Sequence, residues 1–339
     1  MVLEGEEKVK MRYETGSGDN RRTVHKKQKE EIYKQIIDIF YFADGHVPAG
    51  QFSFPFSVQV PNWLPPSFMW KYHDSDEKYK AMIRYKIKAY IVDNHKKDKP
   101  IYGKRVLLVN PNPPPMAQAA EMVNKSEVKT CCCFGQGPAE IMAYFERNVY
   151  YPTETAKAFI RMDNSKCAKD IEHISMKLMR SVRITAGNTT KAKEWKMAGL
   201  RQPGMTAGKV EERSMELNLS EFAQKFGSTL KVQRKGEKQY SQEEIHLAAN
   251  IQPVVMGKLI QCNYFIDVKP NYGSCDCCRN PPKVRMPMFL CNPQFQIMMT
   301  PPPQMQNWNP TTHHIVQMTY EQPANQAYQQ PPAPLPVTI

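Results

Sequence analysis

The segment QFSFPFSVQVP (51–61) decides the fold class. Phe52, Phe54, Phe56, Val58 and Val60 recur at every second position, with mostly polar residues between them. An extended chain places all five on one face, whereas a helix would scatter them around its circumference. The segment therefore reads as a half-buried strand. Pro55 falls on the opposite face and brings no N–H to a ladder, which implies a sheet edge or a bulge there. The paired prolines of NWLPPSF (62–68) end the strand.

The same period continues outward. In KYKAMIRYKIKAYIV (78–92), Ile83, Tyr85, Ile87, Ala89 and Ile91 take one face, while Lys78, Lys80, Arg84, Lys86 and Lys88 take the other. VDNHKKDKP reads as a polar turn and GKRVLLV (103–109) as the returning strand. NPNPPPMAQ (110–118) packs four prolines into its first six residues, which neither strand nor helix can accommodate. Strands resume at AEIMAYFERNVY (139–150) and TAKAFIRM (155–162), joined by the turn YPTE. HISMKLMRSVRI (173–184) aligns Ile174, Met176, Leu178, Val182 and Ile184, and GKLIQCNYFIDVKP (257–270) aligns Ile260, Cys262, Tyr264, Ile266 and Val268. Only EEIYKQIIDIF (30–40) is ambiguous, since Ile32, Ile36, Ile37 and Phe40 also suit a helical stripe. Short apolar runs between turn residues argue for β-sandwiches. From Asn292 the chain carries one charged residue, Glu321, and ten prolines, the composition of a disordered tail.

Composition narrows the function classes. The 339 residues are 41% hydrophobic, enough for two cored domains. No stretch approaches the ~20 apolar residues of a membrane span, and the first residues show no basic-then-apolar leader. Nine cysteines without a secretory context imply a reducing compartment. The net charge of +13 favours an acidic partner: a phosphorylated protein, an anionic lipid headgroup or a nucleic acid. Nucleic acid is not expected, because no recognition helix, zinc finger or aromatic stripe can be assembled. Catalysis is not expected either: G-x-S-x-G, H-E-x-x-H and G-x-x-x-x-G-K are all absent. FGQGPAE (134–140) is too short for a dinucleotide loop and precedes a strand.

Taken in order, these motifs resemble the arrestin family, in its arrestin-domain-containing (alpha-arrestin-like) branch. VPAGQFSFPFSVQVPNWLPPSF (47–68) is similar to the family signature of a glycine turn, an F-x-F-P-F strand and an L-P-x-S-F corner. VKTCCCFGQGPAEIMAYFERNVYYPTETAKAFIRMDN (128–164) resembles the start of the family's second domain, IQPVVMGKLIQCNYFIDVKP (251–270) a late strand, and RMPMFLCNP (285–293) the last one. The resemblance implies an all-β chain of two immunoglobulin-like sandwiches in tandem. The domains are expected at 1–110 and 126–292, with a linker at 111–125 and a disordered Pro/Gln-rich tail at 293–339. Because GEEKV (5–9) looks like a strand that other members place later, the first sandwich is expected to lack its opening strands.

The resemblance further implies a non-enzymatic cytoplasmic adaptor, peripherally associated with endosomal or plasma membranes. It would bind cytoplasmic segments of membrane proteins, phosphorylated ones among them, and connect them to trafficking machinery. E3 ubiquitin ligase recruitment is common in the family, but no P-P-x-Y ligand occurs here. A retromer-type coat subunit of the same fold is the alternative within trafficking.

Three groups of residues are candidate sites. Lys78, Lys80, Arg84, Lys86 and Lys88 stand about 6.6 Å apart along one strand face. They suit a phosphorylated tail or an anionic lipid headgroup, or form an ordinary solvated face. Cys131, Cys132 and Cys133, with Cys275, Cys277 and Cys278, offer soft ligands to zinc or thiols to S-acylation. They lack the C-x₂-C spacing that seats two sulfurs on one metal, so plain thiols are the competing account, and no cofactor is expected. A zinc- or thiol-dependent protein remains the alternative of a different class. Pro331, Pro334 and the end at Ile339 suit SH3- or PDZ-type domains, or merely solvate the tail.

Overall fold

The computed structural model describes residues 1–40, 54, 56, 58, 60–91, 101–117, 119–130, 134–220, 252–273, 281–291 and 316–318. The first domain contains β1 (Val2–Thr15), β2 (Arg22–Ile37), β3 (Phe68–His73), β4 (Glu77–Ile91) and β5 (Ile101–Leu107). The second contains β6 (Met122–Thr130), β7 (Phe134–Phe145), β8 (Val149–Tyr150), β9 (Thr155–Asp163), β10 (Ile171–Ala186), β11 (Thr189–Met205), β12 (Val210–Asn218), β13 (Val255–Met256), β14 (Ile260–Asn271) and β15 (Val284–Leu290). A last strand, β16 (Val316–Met318), pairs with β2.

Among the described residues the first domain presents one sheet in the order β16-β2-β1-β4-β3, with β5 also paired to β4. Its β1–β2 hairpin turns at Gly16, whose φ of 95° only glycine adopts readily. Along β1 the period is two: Leu3, Gly5, Glu7, Val9 and Met11 are buried, and Glu4, Glu6, Lys8, Lys10 and Arg12 point the other way. Gly5 is required by close approach. A Cβ there would stand 2.5 Å from the ring of Tyr85, whose hydroxyl donates to the Pro65 carbonyl at 2.6 Å.

The second domain is a two-sheet sandwich, β12-β9-β7-β6 against β11-β10-β14-β15-β8, with β13 on β14. The corner after β9 is built around Asn164. Its amide donates to the Lys169 carbonyl at 2.9 Å, its side-chain oxygen accepts from Tyr272 at 3.1 Å, and its backbone carbonyl accepts from Cys167 and Gly208.

Strands β10 and β14 reach beyond their own sandwich. Their shared face runs from Met176 and Val268 to Ile184 and Ile260, buried throughout. The far half of that face packs on the first domain. Trp195 stacks on Trp70 at 6.0 Å, and the Arg180 guanidinium lies over the rings of Phe68, Trp195 and Tyr264 at 5.4–5.8 Å. Gln252 mimics a strand: it accepts from the Met69 N–H at 2.8 Å and donates back to the Met69 carbonyl at 2.5 Å. Lys191 and Lys193 reach Glu77. Glu7 accepts from the Leu259 N–H at 2.8 Å, with its second oxygen buried and unpartnered. One core cluster therefore runs through both domains.

The alternation found in the sequence reappears in β4, β7, β9, β10 and β14, and 30–37 belongs to strand β2. Three expectations change. Of the 51–61 segment, only 54, 56, 58 and 60 are described before Pro61; none is in a strand, and Phe56 and Val60 are 49% and 41% exposed. Residues 51–53, 55, 57 and 59 lie outside the described residues. In β4 the buried face ends at Tyr85: Ile87 is half-buried, and Ala89 and Ile91, beyond the last β1–β4 pair at Val2 and Lys88, are exposed. β6 begins at Met122, inside the expected linker. Of the 293–339 tail, only β16 is described.

Candidate anion-binding surface

The outer face of the first sheet carries the surface. β4 does point Lys78, Lys80, Arg84, Lys86 and Lys88 to that face, alternating with buried Tyr79, Ala81, Ile83 and Tyr85. Antiparallel register then divides the stripe. Lys88 and Lys86 lie opposite Val2 and Glu4 of β1. Lys88 donates to Glu4 at 2.7 Å, and Lys86 reaches Glu4 at 3.7 Å and Glu6 at 3.3 Å. Glu4 raises the Lys88 pKa through that bond. Arg84 sits opposite Glu6 and donates to the Met82 sulfur at 3.0 Å. This end of the stripe is largely neutralised from within.

The other end is different. Lys80 faces Lys10 on β1 and Lys71 on β3, and Lys10 faces Lys27 on β2. Four lysines thus stand abreast on four adjacent strands, about 4.8 Å apart. The next outward row, one pleat further along, is His25, Arg12, Lys78 and His73. On the opposite side of the lysine row, Lys29 stands opposite Lys8 across the ladder, but its ammonium bonds Glu6 at 2.9 Å. Directly opposed like charges destabilise a sheet. Even in water, two unit charges ~5 Å apart repel by roughly 0.8 kcal/mol.

Charge states follow the same division. Burial works against the Lys8 cation first, and nearby Lys10, Lys27 and Lys29 add to the depression of its pKa although Glu6 opposes it. Burial also works against the Glu6 carboxylate, but hydrogen bonds and charge from Lys29 and Lys86 outweigh it and hold Glu6 below the ordinary carboxylate value. Between these groups lies a shallow cavity of about 410 Å³, lined by Glu6, Lys8, Lys10, Lys80, Met82, Arg84 and Lys86. Acceptor oxygens of an anion placed there would meet lysine donors from two strands at once, and charge-assisted bonds of that kind are the strong ones.

The sequence reading thus found half of the surface. It missed Lys10, Arg12, Lys27, Lys71, His25 and His73. The signal was present in KVKMR (8–12), where Lys8, Lys10 and Arg12 alternate with Val9 and Met11. Only the ladder register brings them beside Lys80. Cys131–Cys133, Cys275, Cys277, Cys278, Pro331, Pro334 and Ile339 lie outside the described residues. Among the described residues no group of His, Cys, Asp and Glu is arranged to hold a metal, and no helix is long and apolar enough to cross a membrane. Cys262, expected in the core, is buried, and its sulfur accepts from the Arg180 side chain at 3.3 Å.

Comparison with known proteins gives this architecture its family. Residues 3–112 match the N-terminal domain of "Arrestin (or S-antigen)", and residues 135–295 match its C-terminal domain. The chain belongs to the arrestin family. It is also similar to "Arrestin domain-containing protein A" of Dictyostelium discoideum, at 33% identity over 162 residues. That match takes in 46% of this chain and 26% of the Dictyostelium protein, so the chain spans well under two thirds of its relative. The domain order within this arrestin follows the family's, N-terminal before C-terminal.

Proposed function

We propose that this arrestin is a cytoplasmic adaptor that binds phosphorylated segments of membrane proteins through the outer face of its first sheet, for endocytic or endosomal sorting. One observation carries the reading: the row Lys27, Lys10, Lys80 and Lys71, four mutually repelling cations abreast on four adjacent strands, beside a cavity that Lys10 and Lys80 line. A multiply phosphorylated segment supplies about −1.5 to −2 charges per phosphate with three acceptor oxygens each, which converts that repulsion into binding free energy. The work is recognition rather than catalysis. The absent catalytic motifs and the family support that reading. Ubiquitin-ligase recruitment would need a route other than a P-P-x-Y ligand.

The test is fluorescence anisotropy with a labelled peptide bearing two phosphoserines, against the same peptide with serines. The account expects binding of the phosphorylated form at least tenfold tighter, with affinity that falls steeply as salt rises. Equal affinity for the two peptides would overturn it.

A further inference from the structure

One carboxylate stands inside the basic surface. On the outer face of β1, Glu6 precedes Lys8 and Lys10; it lies opposite Arg84, and they lie opposite Met82 and Lys80. All six side chains line the cavity, and with Lys86 its wall carries five cations and one anion. Glu6 is held in place from both sides. Lys29 of β2 bonds one of its oxygens at 2.9 Å, and Lys86 of β4 bonds the other at 3.3 Å. The side chain is only 14% exposed. Those bonds outweigh the burial that opposes its charge, so the carboxylate stays ionised.

Glu4 is the natural comparison. It engages Lys86 and Lys88 in the same way, one outward position earlier, but it does not line the cavity. Pairing lysines across the sheet does not require the carboxylate to face the ligand space. Glu6 does both.

Its effect on a ligand follows from charge. An anion that enters the cavity loses water, and it is attracted in proportion to its charge. A phosphomonoester carries about −1.5 to −2 charges, whereas an aspartate or glutamate side chain carries one. A fixed negative charge on the wall lowers the attraction per unit charge. The carboxylate then falls short of its desolvation cost while the phosphate still exceeds its own. Even in water, a unit charge ~6 Å away changes affinity roughly threefold per ligand charge.

We infer that Glu6 is a specificity-determining residue of this surface: it sets a charge threshold that phosphorylated segments pass and unphosphorylated acidic segments do not. The inference rests on the phosphopeptide reading and adds to it what the site refuses.

The experiment is fluorescence anisotropy with two labelled peptides, one bearing two phosphoserines and the other glutamate at the same two positions. Wild type, Glu6→Gln, Glu4→Gln and Glu6→Asp are compared. Wild type should bind the phosphorylated peptide at least about tenfold more tightly than the glutamate peptide. Glu6→Gln keeps the size of the side chain and should keep the wild-type circular dichroism, yet bind the glutamate peptide at least about threefold more tightly than wild type. Glu4→Gln, the same charge change away from the cavity, and Glu6→Asp, which keeps the charge, should stay within about twofold of wild type. A purely structural ion pair predicts the opposite sign, since disturbing the strand would weaken binding. Wild type that prefers the phosphorylated peptide, with Glu6→Gln no better than wild type at binding the glutamate peptide or matched by Glu4→Gln, would overturn the inference alone. Equal binding of both peptides by wild type would remove the threshold and the phosphopeptide reading together.

Discussion

Glu7 ties the stability of the arrangement to pH. Its carboxyl is buried between β1 and the Gly257–Leu259 turn of the second domain. One oxygen accepts from Leu259, and the other has no partner and fills the space a Cβ of Gly257 would take. Burial is the largest influence on it and raises its pKa from 4.5 to about 7. The backbone N–H groups of Leu259 and Lys258 and the Lys258 cation lower it, and Glu30 raises it. Across the sheet stands the Tyr85 phenol, itself pushed upward by burial and by Glu7. In the unfolded chain the carboxyl returns to about 4.5. Between pH 4.5 and 7 the native state therefore holds a proton that the unfolded state has released, so stability falls as pH rises through that window and levels off above it. The gap between 4.5 and about 7 corresponds to about 3 kcal/mol. Glu7→Gln keeps an acceptor for Leu259 but cannot ionise. Urea unfolding of both proteins from pH 4.5 to 8 should show wild type at least as stable as the variant at the acid end. The difference should then move in the variant's favour by about 2–4 kcal/mol by pH 8. A difference that stays constant across the range would refute the reasoning.

Other perturbations test other parts of the packing. Arg180 is fully buried among rings, and its Nη2 has no partner, so Arg180→Met should cost less than about 1 kcal/mol or stabilise, whereas truncating its partly buried neighbour by Trp195→Ala should cost about 2–3 kcal/mol; equilibrium unfolding decides both. Gly137 has φ 98°, and an added Cβ would meet the Lys166 carbonyl oxygen at 2.0 Å, so Gly137→Ala should lower stability by about 2–3 kcal/mol and the melting temperature with it. Burial opposes the Asp267 charge, but bonds from Arg285 and Lys283 hold its pKa below 3.8. That contribution is present above pH 3.8 and lost as pH falls through the depressed value, so Asp267→Asn should remove part of the acid-unfolding slope below pH 4.

How much of this was legible beforehand depends on what fixes each feature. Alternation along a single strand is local, so Ile174–Ile184 and Ile260–Val268 announce their burial in sequence. Pairing is not local. Nothing in KYKAMIRYKIKAYIV says that Lys86 faces Glu4 and Arg84 faces Glu6 while Lys80 faces Lys10, because that is set by the turn near Gly16 and by the register of β1 on β4. The same limit explains β4's far end: Ala89 and Ile91 keep the inward period, but among the described residues no strand or domain lies over them. Arg180 fell on a face otherwise apolar, and the rings that receive it come from β3, β11 and β14, far apart in the chain. Family likeness supplied the tandem order that periodicity alone left open.

The division of the basic stripe is the central claim, and calorimetric titration with one doubly phosphorylated peptide addresses it directly. Two variants of equal charge change, Lys10→Glu/Lys80→Glu and Lys86→Glu/Lys88→Glu, would be compared with wild type. The account predicts a loss of at least about thirtyfold for the first pair and under about fivefold for the second, since Lys86 and Lys88 already spend their charge on Glu4 and Glu6. Equal losses, or a larger loss at Lys86 and Lys88, would contradict it.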